Sequence, residues 1–194
     1  MTQPGDGLCF GYGSLANKDT HGFGIIGATR LKGFRRSWGH WVASETRNAT
    51  SLTIVPSPNA EVLGVVMLVP AKDWTGLAKR ETGYNRRPVS ISPAADFDCS
   101  PDMVTSCCTY ISRQDGRHDG EQPIYLSYID TVAQGFAQIG GKDAVAEFFA
   151  TTDGWDTPIL NDRQQPIYPR ATKLTSAETQ SVDDALANLA VRWI

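Results

Sequence analysis

A single glutamate on an otherwise apolar helical stripe is the first residue of the chain that could perform acid–base chemistry. The segment 72–83 can form a short helix ending at Gly83, and four of its residues share one face: Trp74, Leu77, Ala78 and Glu81. Glu81 then lies in the last turn, where the negative end of the helix dipole and partial burial both disfavour a charged carboxylate. We therefore expect a raised pKa, which suits a general acid or base near pH 7.

Spacing alone leaves a simpler interpretation of Glu81 open. Its carboxylate could pair with a neighbouring arginine, or the residue could mark the frayed end of the helix. The arginines within reach in the sequence are Arg80, Arg86 and Arg87.

A glycine-bearing loop, Gly11-Tyr-Gly-Ser-Leu15, follows the first predicted strand, Leu8–Tyr12. Glycines here let backbone N–H groups approach an anion closely. The stretch also matches the dinucleotide-binding spacing G-x-G-x-x-A, but weakly. Several glycines follow where that motif requires a helix, and Arg35 and Arg36 stand where it requires an acid. The loop lacks the Gly-Lys-Ser/Thr of a P-loop, and Ser14 lacks the spacing of a nucleophile elbow. A plain turn at a strand end remains the alternative.

The elements that must position these residues are predicted to be strands first and helices afterwards. The predicted strands are 8–12, 51–55, 62–69, 84–91 and 103–111, with a hairpin turn at 56–61. The glycines within 16–30 predict a loop. The predicted helices are 125–139, 143–150 and 176–192, the last opening with the capping box Thr175-Ser-Ala-Glu178. This order predicts an α+β fold, a small mixed sheet or barrel with flanking helices, in one domain over residues 1–194.

The composition is that of an ordinary globular protein, with 41% hydrophobic and 20% charged residues over 194 positions. The net charge of −3 lacks the basic footprint of nucleic-acid binders, so we expect no nucleic-acid partner. One local basic cluster does exist, and we interpret it as a solvated edge rather than an anion site. It consists of Arg30, Lys32, Arg35 and Arg36.

Neither the cysteines nor the histidines have the spacing of metal ligands, so we expect no metal site. We interpret the four cysteines as buried free thiols in a reducing compartment: Cys9, Cys99, Cys107 and Cys108. The scattered histidines are typical of structural or exposed residues: His21, His40 and His118. The N-terminus has neither the basic nor the apolar region of a signal peptide, and no apolar run is long enough for a bilayer. We therefore expect a cytoplasmic protein without a membrane partner.

Taken together, the loop and the glutamate resemble the γ-glutamylcyclotransferase superfamily, and most closely its ChaC-like branch. The resemblance rests on Phe10-Gly-Tyr-Gly-Ser-Leu15 after the first strand and Arg80-Glu-Thr-Gly-Tyr84 after a short helix. Two further segments support it, Leu31-Lys-Gly-Phe-Arg-Arg36 and Ser127-Tyr-Ile-Asp130. These features extend over about residues 8–135.

The resemblance implies a small mixed β-barrel with flanking helices and no metal or organic cofactor. Glu81 would be the catalytic general acid/base. The loop would bind the α-carboxylate and part of the γ-glutamyl group through its backbone. The implied substrate-binding residues are Phe10, Gly11, Tyr12, Gly13, Ser14, Leu15 and Tyr84. For Tyr84, a pocket wall, a hydrogen-bond donor and a buried aromatic anchor all remain open.

The implied reaction is an intramolecular cyclisation, in which the α-amino group of a γ-glutamyl amide attacks its own γ-carbonyl. It releases 5-oxoproline and an amine, amino acid or peptide, a step of the lyase or transferase type found in glutathione metabolism. Glutathione, γ-glutamyl dipeptides and γ-glutamylamines all remain open as the small-molecule substrate. The glutathione-acting branch usually has an acidic residue where Ala78 and Lys79 stand here. A non-catalytic module that binds a γ-glutamyl compound or another small carboxylate is the alternative function.

Overall fold

The computed structural model describes residues 3–44, 47–91, 107–113 and 122–194, without the side chains of residues 43, 44 and 47. The strands are β1 (Gly7–Gly11), β2 (Gly24–Ser44), β3 (Arg47–Val69), β4 (Tyr84–Pro88), β5 (Cys108–Ser112), β6 (Ile124–Tyr125), β7 (Thr152–Asp153) and β8 (Ile159–Leu160). The α-helices are α1 (Trp74–Arg80), α2 (Leu126–Thr151) and α3 (Ser176–Asn188). A sheet built mainly from the first half of the chain, with helices after it, confirms the predicted α+β class.

The strands form one mixed sheet in the order β4-β5-β1-β3-β2-β7, and β6 joins β3 to β8. β1 is antiparallel to β3 and parallel to β5, whereas the long β2 and β3 pair antiparallel. The end of β5 also reaches strands that are not its neighbours in this order. The Ser112 N–H donates to Thr53 Oγ1 at 3.1 Å, and Ser112 Oγ lies 2.7 Å from His40 Nδ1. The sheet therefore curls, and the ends of β5 and β4 come against the middle of β3.

The β2–β3 ladder corrects two of the predictions. The predicted loop over 16–30 is wrong beyond residue 23, because Gly24 pairs with Leu68 and begins β2. The predicted hairpin at 56–61 is also wrong, because β3 is continuous. Pro56 pairs with Phe34 and Glu61 with Lys32, so residues 57–60 lie opposite Gly33 alone and the β2–β3 ladder is irregular there. Prolines lack a backbone N–H and are tolerated where a ladder is interrupted, which explains why the turn-like composition does not end the strand.

The helices follow the predicted pattern with shifted ends. The predicted helices 125–139 and 143–150 appear as α2, interrupted by the non-helical Gly140 and Gly141. The capping box of α3 is present: Thr175 Oγ1 accepts from the Glu178 N–H, and the Glu178 carboxylate accepts from the Thr175 N–H. α3 ends at Asn188 rather than 192, because the backbone of Ala190 is left-handed, with φ of 49°.

The first half of α2 is buried against the sheet and against the turn that follows β1. Gly135 makes this contact possible, because a Cβ there would lie 2.6 Å from the backbone nitrogen of Asn17. The Asn17 side chain donates to the Thr131 carbonyl at 2.8 Å and to Gln134 Oε1 at 3.0 Å. Helix α2 therefore holds the loop after β1 in place.

The basic cluster is not a solvated edge throughout. Arg30 pairs with Glu147 and Glu61, and Arg35 pairs with Asp153 at 2.5 Å. Arg36, however, is only 1% exposed and lies in the core. The prediction fails for Arg36 because side chains alternate along β2, so that neighbouring arginines face opposite sides of the sheet.

Candidate active site

The glycine loop, residues Phe10–Leu15, is a tight turn that leaves the end of β1. A Cβ at Gly11 would lie 2.7 Å from Leu15 Cβ, so the turn closes this tightly only with glycine there. Ala16 N–H donates to the Gly13 carbonyl at 2.8 Å and Asn17 N–H to the Ser14 carbonyl at 3.2 Å. The segment from β1 to β2 contains two 3-10 turns and not the α-helix that a dinucleotide-binding loop requires. The dinucleotide alternative is therefore wrong.

Glu81 caps the C-terminus of α1. Its N–H donates to the Leu77 carbonyl at 3.0 Å, and its side chain is 16% exposed. The chain then turns at Gly83, whose φ is +95°, and enters β4. Leu77 is buried as the predicted stripe requires, but Ala78 is exposed. The buried stripe of α1 is thus narrower than predicted. Glu81, which is only partly exposed, lies on the same face of the helix as the buried Leu77.

Arg80 links Glu81 to the glycine loop. Its Nε lies 3.2 Å from Glu81 Oε1, so the arginine pairing left open by the sequence is present. The same guanidinium donates to Ser14 Oγ at 3.2 Å and to the Thr20 carbonyl at 2.8 Å. The ion pair therefore does more than neutralise a helix end, because it fixes the carboxylate beside the loop.

One narrow cleft, open to solvent, is lined by every residue that the sequence predicted for the site. These are Glu81, Tyr84 and the loop residues Phe10, Gly11, Tyr12, Gly13, Ser14 and Leu15. The structure adds Leu52, Tyr110 and Tyr128, which the sequence analysis did not assign to the site. Tyr128 lies in the Ser127–Asp130 motif that supported the resemblance, whereas the sequence carries no comparable signal for Leu52 or Tyr110. The roles of these residues in binding and catalysis remain predictions.

Two of the tyrosine hydroxyls in the cleft donate to backbone carbonyls. Tyr12 donates to the Tyr110 carbonyl at 2.6 Å, and Tyr84 donates to the Leu52 carbonyl at 2.7 Å. Burial, and then the nearby Glu81 charge, raise the pKa of Tyr12 well above its ordinary value. Burial raises the pKa of Tyr110 to about 12. Both phenols therefore remain protonated near neutral pH, and the tyrosines form fixed, uncharged walls.

Tyr84 is anchored from behind by a buried histidine. The His40 ring lies 4.0 Å from the Tyr84 ring, centroid to centroid. A Cβ at Gly83 would lie 2.8 Å from His40 Cε1, so glycine is also needed for this close approach. The anchor and wall interpretations of Tyr84 therefore both agree with its contacts.

His21 and the three described cysteines lie outside the cleft lining. His21 is partly buried and contacts the Leu15 carbonyl at 3.0 Å, and burial lowers its pKa. Three of the cysteines are buried, as predicted: Cys9, Cys107 and Cys108. Cys99 and His118 lie outside the described residues.

Within the part of the chain that the structure describes, no three His, Cys, Asp or Glu side chains converge on a possible metal position. No helix of the described residues has the length and apolarity needed to cross a membrane.

Solved structures of other proteins resemble the fold of this chain. Curated protein sequences gave no match. A solved structure named gamma-glutamyl cyclotransferase is similar, with 16% identity, a TM-score of 0.59, and coverage of 92% of this chain and 99% of that one. An uncharacterized protein from Homo sapiens has 18% identity, a TM-score of 0.60 and the same coverages. YkqA from Bacillus subtilis has 15% identity and a TM-score of 0.55, covering 77% of this chain and 56% of that one.

At these identities the solved structures show the fold, and the family is shown by sequence. The family model described as "ChaC-like protein" matches residues 8–139, well over half of the chain. The matched range includes the glycine loop, Glu81 and Tyr84. The chain therefore belongs to the ChaC-like family.

Proposed function

We propose that the protein is a γ-glutamyl cyclotransferase that releases 5-oxoproline and an amine, amino acid or peptide from a γ-glutamyl amide. Family and fold support γ-glutamyl cyclotransferase activity in general. One observation carries the more specific proposal. Glu81 and the glycine loop, far apart in the sequence, line the same cleft, which tyrosine side chains enclose.

The proposed reaction needs few protein groups because its nucleophile and electrophile belong to one molecule. The substrate α-amino nitrogen attacks its own γ-carbonyl carbon, and closing a five-membered ring gives a high effective molarity. A ring C–N bond forms, and the C–N bond to the leaving amine breaks. What remains is the transfer of protons.

Glu81 is the residue that we assign to this proton transfer. Its carboxylate accepts a proton from the substrate ammonium and then delivers it to the nitrogen of the leaving amine. Arg80 holds the carboxylate beside the loop, at 3.2 Å from Glu81 Oε1. The guanidinium also favours the charged form of the carboxylate, which is the form that accepts the first proton.

Ring closure is favoured over hydrolysis by the proximity of the substrate's own amine, because the cleft itself is open to solvent. Four tyrosines form walls of the cleft: Tyr12, Tyr84, Tyr110 and Tyr128. The backbone of the glycine loop would hold the α-carboxylate of the γ-glutamyl group, and the leaving amine would extend towards solvent. Glutathione, γ-glutamyl dipeptides and γ-glutamylamines all share this γ-glutamyl group.

The proposal is tested by incubating the purified protein with glutathione, a γ-glutamyl dipeptide and a γ-glutamylamine and quantifying 5-oxoproline. A Glu81→Gln variant is compared with Glu61→Gln, in which the replaced carboxylate is 43% exposed and pairs with Arg30. We expect product from at least one donor, lost in Glu81→Gln and kept in Glu61→Gln. Binding of all three donors without product would favour a non-catalytic binding module. Product that survives in Glu81→Gln would contradict the role of Glu81.

A further inference from the structure

Arg36 is a buried cation that forms no ion pair with any carboxylate of the described residues. Only 1% of the residue is exposed. Burial lowers its pKa to about 10, so the side chain stays charged near neutral pH. Burying a charge without an opposite charge costs several kcal/mol. A core position of this kind calls for an explanation beyond packing.

The hydrogen bonds of this guanidinium go to neutral groups, and the Glu147 carboxylate acts on it only at longer range. Its Nε donates to the Tyr12 carbonyl at 2.9 Å, and its two terminal nitrogens donate to the Leu63 carbonyl at 2.6 Å and to Thr152 Oγ1 at 3.4 Å. The Phe136 ring lies 4.7 Å from the guanidinium carbon. The hydrogen bond to Tyr12 connects the charge to the glycine loop, which the proposed function assigns to the substrate carboxylate.

The hydrogen bond from Arg36 to the Tyr12 carbonyl also determines the direction of the following Gly13 N–H. In a trans peptide the C=O and the following N–H point in opposite directions, and no cis peptide bond occurs in the described residues. Because the Tyr12 carbonyl points towards Arg36 in the core, the Gly13 N–H points away from it. Gly13 lines the cleft, and a Cβ there would lie 3.3 Å from the Tyr128 hydroxyl. The Gly13 N–H is thus directed to the cleft side of the loop.

We propose that Arg36 is a positioning residue that fixes the Tyr12–Gly13 peptide so that the Gly13 N–H binds the substrate α-carboxylate. The proposal rests on the proposed function, because it assumes that a γ-glutamyl carboxylate occupies the cleft. The buried charge polarises the peptide through the Tyr12 carbonyl, and hydrogen bonds in series strengthen one another. Because low dielectric increases the effect of a charge, Arg36 favours the anion although it does not touch it.

The test uses a ligand that carries the carboxylate and a matched ligand that lacks it. 5-Oxoproline and its neutral amide, 5-oxoprolinamide, are titrated by calorimetry into the wild type, Arg36→Met, Arg36→Lys and Arg35→Met. Arg35 is the matched control, because it neighbours Arg36 but its side chain is 44% exposed and pairs with Asp153. The Gly13 backbone amide resonance is followed by NMR in the same titrations, and thermal unfolding checks that each variant is folded.

We expect Arg36→Met to weaken 5-oxoproline binding about 30-fold, the value of one charge-assisted hydrogen bond, and amide binding less than about 3-fold. KM should rise with little change in kcat, and Arg36→Lys should recover part of the affinity. Arg35→Met should match the wild type. If Arg36→Met does not fold, Arg36→Lys decides the question, since loss of the Nε bond should still weaken 5-oxoproline selectively. Equal weakening of both ligands, or none, would overturn the proposal and leave Arg36 a structural residue.

Failure of this inference and failure of the proposed function give different results. A wild type that releases 5-oxoproline from a donor, while Arg36→Met keeps its affinity for 5-oxoproline, contradicts only the role of Arg36. A wild type that releases no product, but binds 5-oxoproline with a shift of the Gly13 resonance that Arg36→Met loses, contradicts only the proposed function. Absence of 5-oxoproline binding to the wild type would overturn the inference as well.

Discussion

Two regions of the molecule place a shielded carboxylate beside an arginine, and they differ in what else surrounds the carboxylate. Asp130 lies near the start of α2, where Arg163 donates to both of its oxygens at 2.7 and 2.8 Å and also pairs with Asp183. Asp162, nearby, accepts from the N–H and the hydroxyl of Ser127. We call these five residues together the Asp162 network: Ser127, Asp130, Asp162, Arg163 and Asp183. Glu81, in contrast, pairs with Arg80 at the lining of an open cleft.

Under the proposed function, we expect this difference to separate a stabilising role of the Asp162 network from a catalytic role of Glu81. The carboxylates of Asp130 and Asp162 accept hydrogen bonds from donors of the protein itself, so they connect α2 to the segment that follows β8. A separate pocket beside them is lined in part by Asp130 and Arg163, whose charges already pair with each other. Glu81 faces a cleft bounded by a loop and aromatic walls, where a substrate can reach it. Changes in the cleft should therefore affect catalysis, and changes in the Asp162 network should affect stability.

The sharpest contrast comes from Glu81→Gln. We expect 5-oxoproline release to fall about 1,000-fold, within the range for loss of a general acid/base. The free energy of unfolding should change by less than about 1 kcal/mol. Glutamine keeps the size of the side chain, and the Glu81 side chain is 16% exposed, so the loss of its charge is partly compensated by solvent. Turnover assays and urea denaturation on the same preparation measure both. A large loss of stability with intact activity would reverse the comparison.

A steric change in the glycine loop should give the next largest effect. Gly11→Ala places a methyl group 2.7 Å from Leu15 Cβ, so the loop must shift relative to Glu81. A displacement of this kind costs roughly 100-fold in kcat/KM. Gly22→Ala is the control, because a Cβ there would meet nothing within 4 Å. Equal activities in the two variants would show that the shape of the loop does not matter for the reaction.

The Asp162 network should respond in the opposite way. Asp162 accepts hydrogen bonds from Ser127 and, at 2.8 Å, from the Ile167 N–H. Asp162→Asn replaces one of the accepting oxygens with an NH₂ group, so that a donor would face one of these donors. We expect a loss of about 2 kcal/mol in the free energy of unfolding and unchanged kcat/KM for the folded protein. Asp184→Asn, on the exposed face of α3, should leave both quantities unchanged. Loss of activity in Asp162→Asn at full stability would place this network in the catalytic machinery.

The smallest expected effect is the pH dependence of the α3 cap. Hydrogen bonding to the Thr175 N–H lowers the pKa of Glu178 below its ordinary 4.5. A lowered folded-state pKa contributes stability that is present above the unfolded value and lost as pH falls through the folded value. Because the Glu178 carboxylate is partly exposed and screened by solvent, we expect at most about 1 kcal/mol of stabilisation.

Urea unfolding of the wild type and Glu178→Gln near neutral pH and in the acid range below 4.5 measures this effect. The difference between the two proteins should shrink on acidification. A difference that grows instead would mean that the Glu178 carboxylate does not stabilise the cap in its charged form.

The sequence was informative about the cleft because its residues come in two short motifs. The glycines of the loop and the helix end at Gly83 reflect local backbone needs, which a sequence displays directly. Gly11 and Gly83 are indeed both in close contact with other residues, Leu15 and His40. The capping box at Thr175 is local in the same sense and was predicted correctly.

The errors arose where tertiary pairing decides the structure. Gly24 begins a strand and Pro56 lies within one because β2 and β3 pair with each other along their whole lengths, each more than twenty residues. Each strand provides the backbone hydrogen-bond partners of the other. Local propensity cannot show such a partner. Arg36 looked like part of a charged surface run, since its burial depends on α2 and β7 and not on its neighbours in sequence. The sequence also could not show that Tyr110 lines the cleft, because that position depends on the pairing of β5 with β1.

The central claim is that the cleft closes a ring within the substrate. The most direct measurement uses the preferred γ-glutamyl donor labelled with ¹⁵N at the α-amino group, with the products followed by NMR. Intramolecular attack predicts that all the label appears in the ring nitrogen of 5-oxoproline, with one leaving amine released for each ring formed. Labelled glutamate would instead mean that water attacks the γ-carbonyl, and would contradict the account.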